Sequence, residues 1–256
     1  MSKLTLQDIQ AKKGREKLSM ITCYDYSFAR ALDGRVDLIL VGDSLGNVIL
    51  GCDRTTCVTM SDMLRHLSAV RRGAPHTFIV SDLPANSYET PEMAIQHAQQ
   101  LLDHGADAIK PEGRPDVVAA LTAKDIPVMS HLGYLPQTAE TFKIVGKQQE
   151  EAQELYQQAH AVQEAGAFSV VLECVPSDVA KHLSEQLAIP TIGIGSGVQC
   201  DGQVLVLYDM LGLFDEFKPR FVRRYLNMAE LVSQAVEQFS EDIRTQKFPS
   251  KQEEYS

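Results

Sequence analysis

Six hydrophobic runs of this chain end in a reactive or ligand-binding group. The four acidic ones are Asp43 in LILVGDSLG, Asp82 in FIVSDLP, Glu112 in AIKPEG and Glu173 in VVLECVP. A fifth run, PVMSHLG, carries His131, and a sixth ends in the glycine-rich turn at residues 193–197. A strand buried in a sheet has no reason to end repeatedly in a charge unless the charge has a task. One pocket lined with oxygen ligands is the economical explanation.

Asp43, Asp82 and Glu112 have the chemistry of a site for a hard cation. They follow three successive predicted strands and have no paired His or Cys, and carboxylate oxygens are the ligands that Mg²⁺ prefers. A hard cation chelates a 2-oxo acid through its carboxylate and ketone oxygens. The ketone is then polarised, and the neighbouring C–H becomes acidic enough for a carboxylate base to remove.

Glu173 is the predicted base, while Lys110 and His131 are predicted to stabilise the substrate carboxylate or the developing enolate charge. Simpler interpretations stay open for each residue taken alone. An acid at a strand end often caps the following helix. Lys110 and Glu112 are alternatively no more than a solvated pair, and His131 is equally compatible with a structural role. Ser44 is either a helix cap or a ligand of the substrate carboxylate.

Short β-rich runs alternate with helical segments along the whole chain, which predicts an α/β fold. The strand candidates are residues 19–23, 37–41, 77–80, 106–110, 127–130, 169–173, 190–194 and 220–225. Eight strands give a repeat of about 32 residues, the size of the βα unit in a (β/α)8 TIM barrel. A doubly wound open sheet is the alternative, but it places its ligand at one switch point. A barrel brings all the strand ends to one mouth, so we expect a barrel.

Helices are predicted at residues 61–72, 91–104, 150–165 and 177–186, together with an N-terminal helix and a C-terminal helix near 227–246. His66 and His97 fall in two of them and are expected to be surface or packing residues. The last helix has an apolar face that could pack on the barrel or on a neighbouring subunit. We expect a single catalytic domain at residues 1–248 and a disordered tail at 249–256.

Composition excludes several functional classes. A hydrophobic fraction of 44% in 256 residues is enough for a substantial core, and a formal charge of −10 without a basic stripe argues against a nucleic-acid partner. No window approaches 18 uncharged apolar residues and the charged N-terminus lacks a signal-peptide centre, so a soluble cytoplasmic protein without a membrane partner is expected. Five cysteines without a CxxC pair are expected to be reduced.

Read together, the motifs resemble ketopantoate hydroxymethyltransferase. The segments that carry the resemblance are ITCYDYSFA (21–29), LVGDSLGNVILG (40–51), residues 58–75, SDLP..SY (81–88), HLGYLPQ (131–137), VLECVP (171–176), residues 189–206 and DMLGLF (209–214). The match runs in order, with nearly constant spacing, from about residue 3 to 248. It is far more specific than any single motif.

The resemblance implies a (β/α)8 barrel of the phosphoenolpyruvate/pyruvate-binding superfamily that transfers a one-carbon unit from 5,10-methylenetetrahydrofolate to 2-oxoisovalerate (3-methyl-2-oxobutanoate). The product would be 2-dehydropantoate, in the first step of pantothenate biosynthesis. It also implies one Mg²⁺ per subunit and a homo-oligomer, commonly a decamer.

By the same resemblance, Asp43, Asp82 and Glu112 match metal-binding positions. Ser44 and Lys110 match substrate-contacting positions, as do the first two acids, and Glu173 matches the proposed base.

Three segments depart from the pattern of that family. Pro111 and Arg114 replace residues around Glu112, Ala85 replaces a phenylalanine, and the loop at 138–147, expected to cover the substrate, lacks a Gly-Gly-Tyr. Proline fixes φ and removes a donor, so the aim of Lys110 and Glu112 is open to change. The alternative function is a metal-dependent aldolase or lyase of the same superfamily acting on another 2-oxo acid. A Schiff-base aldolase using Lys110 and a non-catalytic binding barrel are further alternatives.

Overall fold

The structure, a computed structural model, describes residues 3–214 and 219–255. The chain divides into two units, Met1–Val206 and Leu207–Ser256. The domain boundaries expected from the sequence, 1–248 and 249–256, stay predictions. Residues 1, 2, 215–218 and 256, which those ranges include, lie outside the described residues.

The first unit is a parallel β-barrel surrounded by helices, as predicted. Its strands are β1 (Leu18–Thr22), β2 (Leu38–Val41), β3 (Phe78–Asp82), β4 (Ala108–Lys110), β5 (Met129–Gly133), β6 (Ser169–Glu173), β7 (Thr191–Ile194) and β8 (Gly202–Leu205). They form one sheet in the order β4-β3-β2-β1-β8-β7-β6-β5. Isolated parallel bridges Ile109↔Val128 and Glu112↔His131 join β4 to β5 and nearly complete the ring.

The eighth strand was predicted at residues 220–225, and this prediction was wrong. The structure has a turn and irregular backbone there, and β8 instead begins at Gly202, between β1 and β7. A Cβ at residue 202 would lie 2.6 Å from both the carbonyl oxygen of Leu18 and the Cδ1 of Ile192. Only glycine fits this crowded position, and glycine weakens the β-propensity by which a strand is recognised.

Helices follow the strands around the barrel. They are α1 (Leu6–Ala11), α2 (Tyr26–Leu32), α3 (Leu45–Val48), α4 (Met60–Gly73), α5 (Pro91–Asp103), α6 (Pro115–Thr122), α7 (Gln149–Glu164) and α8 (Ser177–Gln186), with a short 3₁₀ turn at Thr55–Cys57. Side-chain caps explain where several begin. Thr59 and Asp62 form a reciprocal capping box at the start of α4, and Thr90 caps α5 just before Pro91.

The N-terminal helix α1 closes the end of the barrel at which the strands begin. Ile9 is fully buried and joins the cluster of side chains that fills the barrel interior. Three lysines around α1 pair with acids that directly precede strands: Lys3 with Asp107, Lys12 with Asp37 and Lys13 with Asp201. A ligand therefore has to enter the barrel from the opposite end, where the strands finish.

Cys52 and Cys57 are joined by a disulfide bond, with their Cα atoms 6.6 Å apart. The expectation that all five cysteines are reduced is therefore wrong for this pair. The loop between α3 and α4 folds back on itself and brings the two sulfurs together, a proximity that the spacing in sequence did not reveal. Cys23, Cys174 and Cys200 are free and buried, in agreement with the expectation.

The second unit contains α9 (Leu207–Leu211) and α10 (Met228–Arg244). Helix α10 confirms the predicted C-terminal helix, and none of its residues is buried. Five of its large apolar side chains are between 44% and 57% exposed: Leu231, Val232, Val236, Phe239 and Ile243. Among the described residues, no helix is long and apolar enough to cross a membrane.

Gly202→Ala should lower the free energy of unfolding by about 1–3 kcal/mol, because the added methyl group overpacks the contact between β1, β7 and β8. The φ angle at Gly202 is not in the left-handed region, so the variant tests packing rather than backbone strain. Urea unfolding followed by circular dichroism measures the change, with the exposed substitution Gln199→Ala as control. Equal stability of the two variants would contradict this account of β8.

Candidate active site

The ends of β2 to β6 bring the predicted site residues to one mouth of the barrel. The parallel register sets Asp82 beside Lys110, Glu112 beside His131, and Gly133 beside Glu173. Asp43 and Ser44 follow β2, the neighbour of β3. The structure thus gathers all seven residues that the sequence singled out, on adjacent strands in chain order.

None of the four acids caps the helix that follows it, so that simpler interpretation is wrong. The residues at the helix starts are Ser44 for α3, Thr90 for α5, Arg114 for α6 and Pro176 for α8. Ser44 makes no side-chain cap bond either. Its hydroxyl instead lies 2.8 Å from the hydroxyl of Tyr24.

Asp82 is the most heavily bonded acid of the site. Its Oδ1 accepts a hydrogen bond from Lys110 Nζ at 2.7 Å, and its Oδ2 accepts from the backbone N–H of Asp43 at 3.0 Å. All three residues are at most 5% exposed. Lys110 is therefore a buried partner of Asp82, which contradicts the interpretation of Lys110 as half of a solvated surface pair.

The electrostatics of this cluster are dominated by unbalanced negative charge. Burial, followed by the negative charges of Asp82 and Glu112, raises the pKa of Asp43 well above its usual range. Burial lowers the pKa of Lys110, but the surrounding carboxylates outweigh that effect and raise it overall. A cation beside Asp43 would therefore favour the ionised form of this acid, and Lys110 stays protonated.

His131 lies between two carboxylates. Its Nδ1 is 3.4 Å from Glu112 Oε1, and its Nε2 is 3.2 Å from Glu173 Oε2, although the N–H directions are not aligned with either oxygen. Burial and the charge of Lys110 lower the pKa of His131, but the two carboxylates more than compensate and raise it to about 9. The cationic form of His131 is therefore favoured, and it lies between the carboxylates of Glu112 and Glu173.

Three uncharged residues of the site were missed as functional candidates: Tyr24, Tyr88 and Gln137. Tyr24 contacts Ser44, while Gln137 hydrogen-bonds Asp43 and Glu112 and accepts a hydrogen bond from Tyr88. Each of the three stands inside a motif quoted above, and Tyr88 and Gln137 each lie six positions after a predicted site residue, Asp82 and His131. For these two residues, that proximity was the available signal.

The glycine-rich turn at residues 193–197 plays a structural role near the site. Gly195 and Gly197 adopt left-handed backbone angles, with φ of 67° and 86°. Between them, the Ser196 hydroxyl donates to the carbonyl of Leu172 and accepts from the N–H of Val175. The turn therefore holds the backbone on both sides of Glu173, rather than cradling a ligand through these bonds.

Pro111 and Arg114 do not prevent the neighbouring Lys110 and Glu112 from contacting other residues of the site. Lys110 reaches Asp82 and Glu112 reaches Gln137, while the Arg114 guanidinium pairs with Asp116 at 2.8 Å. The altered loop at 138–147 is tied at both ends: Arg54 donates to the carbonyl of Ala139, and the N–H of Val145 donates to the carbonyl of Cys174. The second tie fixes the loop next to Glu173.

The donor set fits a hard divalent cation. Within residues 3–214 and 219–255, no three acidic, histidine or cysteine side chains form a preassembled metal cage. Mg²⁺ does not require one, because it keeps several waters and commonly uses one or two carboxylates together with substrate oxygens. Asp43 and Asp82, linked by a backbone hydrogen bond at the mouth, supply carboxylates of that kind.

Comparison with known proteins places the chain among enzymes. A sequence profile of the ketopantoate hydroxymethyltransferase family matches residues 3–251. The chain is 49% identical to 3-methyl-2-oxobutanoate hydroxymethyltransferase from Nitratidesulfovibrio vulgaris, over 96% of this chain and 83% of that protein. It is 45% identical to the protein of the same name from Caldicellulosiruptor saccharolyticus, over 100% of both chains.

A solved structure shares the fold at much lower sequence identity. Phosphonopyruvate hydrolase in complex with oxalate and Mg²⁺ superposes with a TM-score of 0.64, covering 97% of this chain and 92% of that chain at 14% identity. This likeness concerns the barrel alone.

Lys110→Met should lower the free energy of unfolding by about 3–5 kcal/mol, because it leaves Asp82 as an uncompensated buried charge. The double variant Lys110→Met/Asp82→Asn should recover a large part of that loss. Urea unfolding in the presence of a chelator measures both, and Lys124→Met, at an exposed lysine, is the control. A double variant no more stable than the single one would show that the ion pair is not the cause.

Proposed function

The chain belongs to the ketopantoate hydroxymethyltransferase family, and we propose that it transfers a hydroxymethyl group from 5,10-methylenetetrahydrofolate to 3-methyl-2-oxobutanoate. The product is 2-dehydropantoate, and one water is consumed as tetrahydrofolate leaves. The observation that carries the proposal is the convergence of Asp43, Asp82, Lys110, Glu112, His131 and Glu173 at one barrel mouth. This set matches what the enolisation of a 2-oxo acid requires.

Asp43 and Asp82 are proposed to hold Mg²⁺, with Glu112 as a third acid close by. When bound, Mg²⁺ would polarise the substrate ketone and lower the pKa of the C–H bond at C3. Ser44, whose hydroxyl is not used in capping, is proposed to bind the substrate carboxylate. Asp43 and Asp82 would thus bind the cation, while the adjacent Ser44 hydroxyl would orient the substrate.

Glu173 is proposed to remove the proton from C3. It is the least buried of the four acids, with its side chain 19% exposed, so a substrate can approach it. The neighbouring His131 places its Nε2 3.2 Å from Glu173 Oε2, next to the proposed base. The resulting carbanion then attacks the one-carbon unit of the folate, which needs no covalent bond to the enzyme.

Lys110 and His131 are proposed to supply positive charge where the enolate develops. Lys110 is buried and ion-paired with Asp82, so it acts as a fixed protonated group. This pairing disfavours the alternative in which Lys110 forms a Schiff base, since that reaction needs the unprotonated amine. Cation-assisted enolisation therefore fits Lys110 better than amine catalysis does.

A homo-oligomer, a decamer by family resemblance, is proposed for the assembled enzyme in the cytoplasm. The exposed apolar side chains of α10 support an association between subunits. Contiguous exposed apolar surface of this kind commonly marks an interaction site.

The enzyme should form 2-dehydropantoate from 3-methyl-2-oxobutanoate and 5,10-methylenetetrahydrofolate only when Mg²⁺ is present, since the ketone has to be polarised before C3 can lose its proton. Mass spectrometry of the product, with Mg²⁺ or with excess chelator, measures this directly. Turnover undiminished by the chelator would overturn the metal-assisted mechanism. Absence of product, with deuterium exchange at C3 of a different 2-oxo acid, would instead support the aldolase or lyase alternative.

Glu173→Gln should slow deuterium exchange at C3 of 3-methyl-2-oxobutanoate by about 10²–10⁴-fold, the usual contribution of a general base. Its affinity for Mg²⁺ should be unchanged, because Glu173 is not among the acids assigned to the cation. Proton NMR of the substrate and calorimetric titration with Mg²⁺ give the two readings. Asp82→Ala provides the contrast, since it should lose the Mg²⁺ affinity itself. Exchange at a nearly normal rate in Glu173→Gln would remove Glu173 from the mechanism.

A further inference from the structure

Gln137 connects two of the acids assigned to the cation site. Its side-chain Nε2 donates to Asp43 Oδ2 at 2.8 Å, and its backbone N–H donates to Glu112 Oε2 at 3.1 Å. The residue is buried, with 8% of its surface exposed. One residue thus binds a carboxylate that follows β2 and another that follows β4, and so fixes their separation.

The orientation of the Gln137 amide is determined by its neighbours. Besides Asp43, Nε2 donates to the carbonyl oxygen of Leu83 at 2.9 Å. If the amide were rotated by 180°, its oxygen would face two acceptor oxygens at these distances, and no donor would remain for either. Both N–H groups are therefore committed, one to the acid and one to the backbone that directly follows Asp82.

Tyr88 completes the arrangement from the other side. Its hydroxyl donates to Gln137 Oε1, and the backbone N–H of Glu112 approaches the same hydroxyl at 3.4 Å. Burial raises the pKa of Tyr88, so the phenol stays a neutral donor. Gln137, Tyr88 and Glu112 form a closed ring of hydrogen bonds, from which the Gln137 amide reaches out to Asp43.

We propose that Gln137 is a positioning residue of the cation site, which holds the Asp43 and Glu112 carboxylates in place for a divalent cation. The inference rests on the proposed function, because it assumes that these acids serve Mg²⁺. An amide is suited to the task because it donates hydrogen bonds to carboxylates without adding a charge. A glutamate in its place would add a further carboxylate, and a hydrocarbon would leave the buried Asp43 oxygen without this donor.

Gln137→Met should weaken Mg²⁺ binding by about 10–100-fold, the usual effect of removing a partner that orients a metal ligand. Methionine fills a similar volume, so packing is kept while both side-chain N–H donors are lost. Calorimetric titration with Mg²⁺ alone measures the affinity, and Gln148→Met, at an exposed glutamine after the same loop, is the matched control. With excess Mg²⁺ the kcat of Gln137→Met should recover, which a merely misfolded site would not show.

Tyr88→Phe gives a second test that does not alter Gln137. Removing the hydroxyl opens the ring of hydrogen bonds and leaves Gln137 Oε1 without its donor, so Mg²⁺ affinity should fall in the same direction but by a smaller factor. Wild-type affinity retained in both Gln137→Met and Tyr88→Phe would overturn the inference and leave the proposed function intact. A wild-type protein that binds no Mg²⁺ would overturn both, so the two failures are distinguishable.

Discussion

The barrel mouth holds more buried carboxylate than cationic charge, and the rest of the site is arranged around that imbalance. Lys110 neutralises Asp82, and His131 lies between Glu112 and Glu173. Asp43 has a backbone link to Asp82 but no cationic partner of its own among the described contacts, and burial together with the charges of Asp82 and Glu112 raises its pKa. Such a cluster is stable only if protons or a metal ion supply the missing charge. A divalent cation at the proposed site would therefore interact with the whole cluster rather than with one ligand.

Parallel strands make this concentration of charge geometrically simple, because every strand finishes at the same mouth. At the seam between β4 and β5, an isolated bridge pairs Glu112 with His131. Next to it, Gly133 has a φ of 94°, and a Cβ there would lie 2.3 Å from the carbonyl oxygen of Glu173. Glycine at position 133 thus lets β5 approach β6, on the other side of β5 from this seam. The opposite end of the barrel is filled by α1. The residues that close the barrel and those that form the candidate site therefore lie at opposite ends of the barrel axis.

Much of this architecture could be predicted from the sequence, because buried parallel strands leave clear hydrophobic runs and their ends carry the acids. Seven strand positions and all seven candidate residues of the site follow from that pattern. The eighth strand was misplaced because Gly202 is required by packing and carries no β signal. The Cys52–Cys57 disulfide depends on how one loop turns back, which spacing alone does not specify. The features that the sequence did not predict thus depend on the packing of one crowded strand and on the path of one loop.

The positions of Tyr24 and Tyr88 depend on contacts between distant segments, which the sequence does not reveal. The carbonyl of Tyr24 accepts a hydrogen bond from His66 Nδ1 on α4, and the carbonyl of Ser87, next to Tyr88, accepts one from His97 Nδ1 on α5. Both contacts are 2.6 Å long, and each requires the proton on Nδ1. Two outer helices therefore use the same kind of bond to hold the backbone at the two tyrosines that reach the site. From sequence alone, a histidine on a helix is interpreted as an ordinary packing residue. Here His66 and His97 instead hold the backbone at two site residues, so the outer helices help to position the site.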